Sequence, residues 1–241
     1  MTFVPDDSAI AERQPVEEFR AIGVEAFTTT RAAGDYGLGD GDPPAAALAK
    51  WRALHESLLA IAPRLASARQ VHGARILEHG AGWDGWRRFD GADGHLALDA
   101  GIALAVTIAD CVPVFVAHPP SGAVALLHAG WRGTSGRILS KAIDVMARAG
   151  IAAADLHIHL GPAICGRCYE VGPHVFEQLT GWSTSRNRHI DLRALLAEQA
   201  REQGIRRISA SPYCTRCDNS RFYSHRAGDA ERQVSVIARS A

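Results

Sequence analysis

His72, Cys111 and His128 are the residues whose types could do metal chemistry. Each adjoins an apolar run, in RQVHGAR, TIADCVPVF and VALLHAG. Two imidazoles and one thiolate suit zinc, and three protein ligands leave a fourth position for water or substrate. A metal held this way can bring the pKa of its bound water to about 7. Gly73 and Gly130, beside the two histidines, permit close approach to the backbone. Asp110 stands next to Cys111, where it could orient a ligand histidine or carry a proton. It could equally cap the turn before Val112-Pro113. Taken singly, Cys111 also reads as a small core hydrophobe and each histidine as a hydrogen-bonded strand end. Spacing alone does not show that the three meet.

A second constellation follows His128 directly. HAGWRGTSGR places Arg132, Gly133 and Thr134 ahead of an apolar helical repeat. A helix start offers free N–H groups and a positive dipole end, and Arg132 adds a fork matched to phosphate oxygens. The P-loop lysine and spacing are missing, so any anion site here is of another kind. Cys165, Cys168, Cys214 and Cys217 form two C-x-x-C pairs, a candidate structural metal site despite their wide separation. Free thiols near a pocket are the alternative. His157 and His159 share one face of LHIHL. A lone H-x-H reads as structural, since copper oxidases use several copies.

Periodicity supplies the elements that must position these groups. VEAFTTTR reads as a strand ending at Arg31, residues 44–62 as a helix, and ARQVHGARILEH as a strand region around Val71 to Leu77. Runs at 102–108, 113–117, 124–128 and 156–160 read as strands. Residues 134–149 form the clearest helix, capped by Thr134 or Ser135 and ended by Gly150. HVFEQLTGW and 191–203 read as helices, IRRIS and RQVSVIA as closing strands. AAGDYGLGDGDPP (32–44) reads as a surface loop. Several consecutive strands lack an intervening helix, which argues against a doubly wound sheet. The expected fold is α+β, one domain over residues 1–241 with mixed sheets flanked by helices.

Bulk properties exclude some classes. Lys+Arg and Asp+Glu number 26 each, so no net charge draws the chain to nucleic acid or an anionic membrane. No apolar run approaches the roughly 20 residues that span a bilayer. The polar N-terminus does not read as a signal peptide, so the chain is expected to be cytoplasmic, with thiols rather than disulfides.

The segments FTTTR, RQVHGARI, LAVTIADCVPVF, LLHAGWRGT, GPAICGRCYEVG and CTRCDNSRFYSHR run through nearly the whole chain. In this order they resemble the YfiH-type laccase-domain family, labelled variously multicopper polyphenol oxidase, purine nucleoside phosphorylase and peptidoglycan editing factor. The resemblance implies a mixed-sheet sandwich and makes His72, Cys111 and His128 the metal ligands. It also implies that Arg52 is a pocket arginine, although Lys50-Trp51 replaces the usual asparagine context. The implied activity is zinc-dependent phosphorolysis of adenosine, inosine, guanosine and methylthioadenosine, with adenosine deamination. The partners would be a purine nucleoside and phosphate, with Arg132, Gly133 and Thr134 holding phosphate and Asp110 or Glu170 moving the deamination proton. AAGDYG and FYSHRAG depart from the family's usual GGVS and FFSYRR, which places Tyr223 and His225 as modifiers of the pocket. Alternatives from other classes are a metal-free Cys111–His128 hydrolase acting on an amide or cell-wall precursor, a metallochaperone or redox partner, and a copper-dependent phenol oxidase.

Overall fold

The computed structural model describes residues 12–39 and 43–239. The N-terminal stretch through residue 11 and the centre of the 32–44 loop lie outside the described residues. In chain order the first elements are β1 (Arg13–Pro15), α1 (Glu17–Arg20), β2 (Val24–Thr29), α2 (Ala45–Leu58), β3 (Arg64–Ala68), β4 (Ile76–His79), β5 (Gly85–Phe89) and β6 (Gly94–Ala97). There follow β7 (Ile102–Ile108), β8 (Val112–Ala117), β9 (Val124–Ala129), α3 (Trp131–Ser135), α4 (Ile138–Arg148) and β10 (His157–Leu160). The chain closes with β11 (Glu170–Val171), α5 (Pro173–Thr180), β12 (Arg188–His189), α6 (Leu192–Glu202), β13 (Arg207–Ala210) and β14 (Gln233–Arg239).

Two six-stranded mixed sheets result, ordered β1-β2-β14-β7-β3-β5 and β13-β10-β8-β9-β6-β4. Alternation along the strands explains how they stack. Leu104 and Val106 of β7 meet Phe115 and Ala117 of β8 and Val124 and Leu126 of β9 in a core between the sheets. The intervening residues turn outward. Ala103 and Ala105 pack with Trp51, Leu54 and Leu58 of α2, while Val114, Val116 and Leu127 pack with Leu139, Ile143 and Leu196 of α4 and α6. Helix, sheet, sheet and helix therefore form successive layers, which agrees with the mixed-sheet α+β expectation. No helix among the described residues is long and apolar enough to cross a membrane.

Two expected elements differ. The strand region around Val71 to Leu77 is split, with β3 ending at Ala68, β4 starting at Ile76, and His72 in the loop between at φ 56°. The expected 134–149 helix is divided by Arg137 at φ 55°, so α3 begins before Thr134 and α4 after it. The apolar repeat from Ile138 onward carries α4 alone, because a left-handed residue cannot sit inside a right-handed helix.

Candidate active site

The site lies where the chain passes from one sheet to the other. β7 belongs to the first sheet and β8 to the second, and Ala109, Asp110 and Cys111 make the crossing. Asp110 takes φ 87°, an uncommon conformation for a residue with a Cβ, and this sharpens the turn. Register then fixes the neighbours. Val112 pairs with Ala129 and Pro113 with His128 in the β8–β9 ladder, and Gly94 pairs with Leu127 in the β6–β9 ladder. One step beyond these ladders, Cys111 comes opposite Gly130 and Asp93 opposite His128. The His128 N–H donates to the Asp93 carbonyl at 2.7 Å, which extends the second ladder by that step.

His72, Cys111 and His128 do converge, their ligating atoms all within 4.8 Å of one another. Tetrahedral coordination with Zn–N near 2.0 Å and Zn–S near 2.3 Å needs donor atoms about 3.3–3.8 Å apart, so a small adjustment would close the set on an ion. The two imidazole rings meet edge to face with centroids 4.9 Å apart. Gly130 is required here, since a Cβ at that position would lie 2.9 Å from Cys111 Sγ. Without a metal, the buried Cys111 and His128 hold each other as a thiolate–imidazolium pair. Burial pushes the Cys111 thiol up, but His128 and His72 more than offset it and bring it to about 6. Burial pushes His128 down, and Cys111 with Asp93 lifts it to about 9. The Cys111 thiolate is the form that binds metal, and His128 would give up a proton as an ion enters.

Asp93 escaped the sequence reading, and it organises the site. It is fully buried. Its Oδ1 accepts from His128 Nδ1 at 2.8 Å and from the His72 N–H at 2.9 Å. Its Oδ2 accepts from the N–H groups of Gly73 at 2.7 Å and Val71 at 3.2 Å. One carboxylate thus directs His128 Nε2 toward the other ligands and holds the loop that carries His72. Burial would raise the Asp93 pKa, but the bond from His128 and the N–H donors keep it below the ordinary value. No local pattern marks GADGHLA as a site, because its partners lie 20 and 35 residues away.

The trio borders a cavity of about 510 Å³, within the range of small-molecule sites. Among the described residues, Arg69, Arg88, Arg132, Arg226 and Arg232 line it, against the single carboxylate of Asp110. Arg132 lies 4.3 Å over the Trp131 ring and makes no ion pair among the described residues. Arg226 lies 5.0 Å from the Tyr169 centroid, and both residues face the cavity. Burial, with the Cys111 charge, pushes Tyr169 up to about 12 and keeps its hydroxyl neutral.

Other expected site residues are placed differently. Arg52 is exposed on α2 and does not line the cavity, whereas the buried Trp51 does. Helical spacing turns residue 52 away once residue 51 faces the sheet. Gly133 and Thr134 are buried inside the α3 turn, with the Thr134 N–H bonded to the Gly130 carbonyl, so Arg132 alone of that group reaches the cavity. Asp110 lines the cavity, but its Oδ1 accepts from Thr215 Oγ1 at 2.6 Å and its Oδ2 from the Arg226 N–H at 2.8 Å. That arrangement ties two loops to the β7–β8 turn and leaves little capacity for carrying protons. Glu170 is exposed and outside the cavity. His225 lines the cavity, while Tyr223 is buried with the Arg31 guanidinium 4.4 Å over its ring. His159 bonds Glu18 and Ser209 at 2.8 Å each and does not line the cavity.

Residues 19–240 match the family model described as multi-copper polyphenol oxidoreductase laccase. A purine nucleoside phosphorylase of Streptomyces coelicolor is 35% identical over 196 residues, covering 77% of this chain and 79% of that protein. An adenosine deaminase from an unknown prokaryotic organism is 35% identical over 150 residues, covering 57% of each. The crystal structure of the hypothetical protein YfiH of Bacillus licheniformis superposes with a TM-score of 0.86 at 26% identity, covering 95% of this chain and 97% of that one.

Proposed function

This chain belongs to the multi-copper polyphenol oxidoreductase laccase family, and on that footing we propose that it is a zinc-dependent purine nucleoside phosphorylase. Its substrates would be adenosine, inosine, guanosine and methylthioadenosine, with adenosine deamination as a lesser activity. The observation that carries this reading is an open three-ligand set bordering a cavity rich in arginine. Phosphate is the co-substrate that such a cavity favours, and several relatives bear the name purine nucleoside phosphorylase.

His72, Cys111 and His128 would hold the metal. When bound there, zinc would supply Lewis-acid charge to an oxygen of the nucleoside or phosphate. Asp93 fixes the tautomer and tilt of His128. Arg132 holds phosphate for attack at the ribose C1′, with Arg226 near enough in the same cavity to share its charge. Trp131 and Tyr169 offer planar walls for the purine, each backed by a guanidinium. Deamination ranks second because zinc deaminases move the proton with a free glutamate. Asp110, the one carboxylate lining this cavity among the described residues, is bonded at both oxygens. Two imidazoles and a thiolate would also hold copper. Phenol oxidation over several coppers would need further histidine groups. The second ligand cluster among the described residues is made of cysteine alone.

Incubating adenosine with the purified protein, with and without phosphate, tests the reading. The expected products are adenine and ribose 1-phosphate, formed only with phosphate, with inosine appearing more slowly. Cys111→Ala should remove both activities. Unchanged phosphorolysis in that variant would refute the proposal, and inosine alone would leave only the deaminase.

A further inference from the structure

We propose that Cys165, Cys168, Cys214 and Cys217 bind a second, structural zinc ion that clasps the two loops forming one wall of the cavity. The four sulfurs lie within 4.8 Å of one another, although they come from segments far apart in the chain. Tetrahedral Zn–S bonds of about 2.3 Å put sulfur atoms about 3.8 Å apart, so the cluster already has nearly the size of a zinc cage. Cys168 Sγ and Cys217 Sγ stand 3.4 Å apart, well beyond the roughly 2.05 Å of a disulfide. All four are free thiols. Cys214 Sγ accepts from the N–H groups of Cys165 at 3.2 Å and Cys217 at 3.4 Å. A set made wholly of sulfur excludes an open catalytic site, since no fourth position remains for water.

The surroundings say what the ion would do. The loops at 161–169 and 211–228 contain little regular structure, joined by one bridge between Ala163 and Cys214. A metal that links them closes a long loop and orders chain that a small apolar core cannot hold. The clasp lies one residue from two parts of the active site. Tyr169, after Cys168, lines the cavity, and Thr215, after Cys214, bonds Asp110 at 2.6 Å. Arg216 Nη1 also donates to the Cys168 carbonyl at 3.3 Å across the junction. The trio and the clasp share no ligand, so this inference stands whether or not the protein is a phosphorylase.

Zinc content of purified variants tests it. The wild-type protein should carry about two equivalents per chain. His72→Ala/Cys111→Ala should keep about one, held by the four cysteines, and Cys168→Ser/Cys217→Ser should keep about one, held by the trio. The cysteine variant should also unfold at lower temperature. No zinc in the first variant, or undiminished zinc in the second, overturns the proposal. Should the cysteine variant fail to fold, thiol alkylation of the intact protein decides the matter. Cys165, Cys168 and Cys217 should resist N-ethylmaleimide until a chelator strips the ion, then react several-fold faster. Equal reactivity before and after chelation, or a peptide linking Cys168 to Cys217 with the loss of two hydrogens, refutes the site.

Discussion

At the scale of single residues, Asp93 bears more of the site than its anonymity in the sequence suggests. Its carboxylate accepts four hydrogen bonds, three from the backbone around His72 and one from the His128 ring. Asp93→Ala would free His128 to rotate and release the loop that sets His72 at φ 56°. Loss of such an outer partner typically weakens a metal site 10–100-fold. Competition with a chromophoric chelator should therefore show a zinc affinity reduced by about that factor, with kcat falling at subsaturating zinc and recovering as zinc is raised. An affinity equal to wild type would mean that Asp93 is merely a buried loop anchor. His225 is the residue whose departure from the family pattern matters most directly, because it reaches the cavity whereas Tyr223 does not.

At the scale of elements, α2 shows how one helix serves both packing and site. Trp51 is 1% exposed, stacks on Trp86 at 5.0 Å with planes 3° apart, and donates its indole N–H to the Tyr36 carbonyl at 3.0 Å. The neighbouring Lys50 donates to the Ala33 carbonyl at 2.6 Å. Together they bind the start of the glycine-rich loop to the helix. Truncating a buried Trp costs about 3–5 kcal/mol, so Trp51→Ala should lower the denaturant midpoint sharply while the m-value stays constant. A loss below about 1 kcal/mol would show that the outer layer repacks. Elements of this kind were readable in the sequence where they obeyed one period. β7, β8 and β9 are continuous apolar runs, and α2 and α6 carry clear helical stripes. β5 and β6 were not readable, because GWRRF is half polar and GHLA has a buried histidine. The left-handed Arg137 was equally hidden, since an arginine carries no signal for φ 55°. The trio of His72, Cys111 and His128 was legible from its residue types and flanking motifs. Its carboxylate support was not, because hydrogen bonds to a distant backbone leave no spacing to read.

At the scale of the whole molecule, the second sheet contains a buried imidazole pair that makes the fold sensitive to acid. His79 Nε2 and His95 Nδ1 are 2.8 Å apart, and His95 Nε2 has no hydrogen-bond partner. Trp83 and Phe89 pack around His79. Burial lowers His79 to about 4. Burial and the nearby His79 lower His95 to about 3, while Asp93 acts weakly the other way. Both groups are depressed below the ordinary 6.5, so the unfolded chain binds more protons than the native one throughout that interval. Stability is then full above about pH 6.5 and is lost as pH falls toward 4 and 3. Acid also weakens any metal bound at the proposed site, so the wild-type curve alone would not isolate the pair. His95→Leu removes one titrating imidazole while the trio stays intact. Urea midpoints measured from pH 7 to pH 4 at saturating zinc should fall less steeply in His95→Leu than in wild type. Parallel curves would locate the acid sensitivity at the His72, Cys111 and His128 cluster instead.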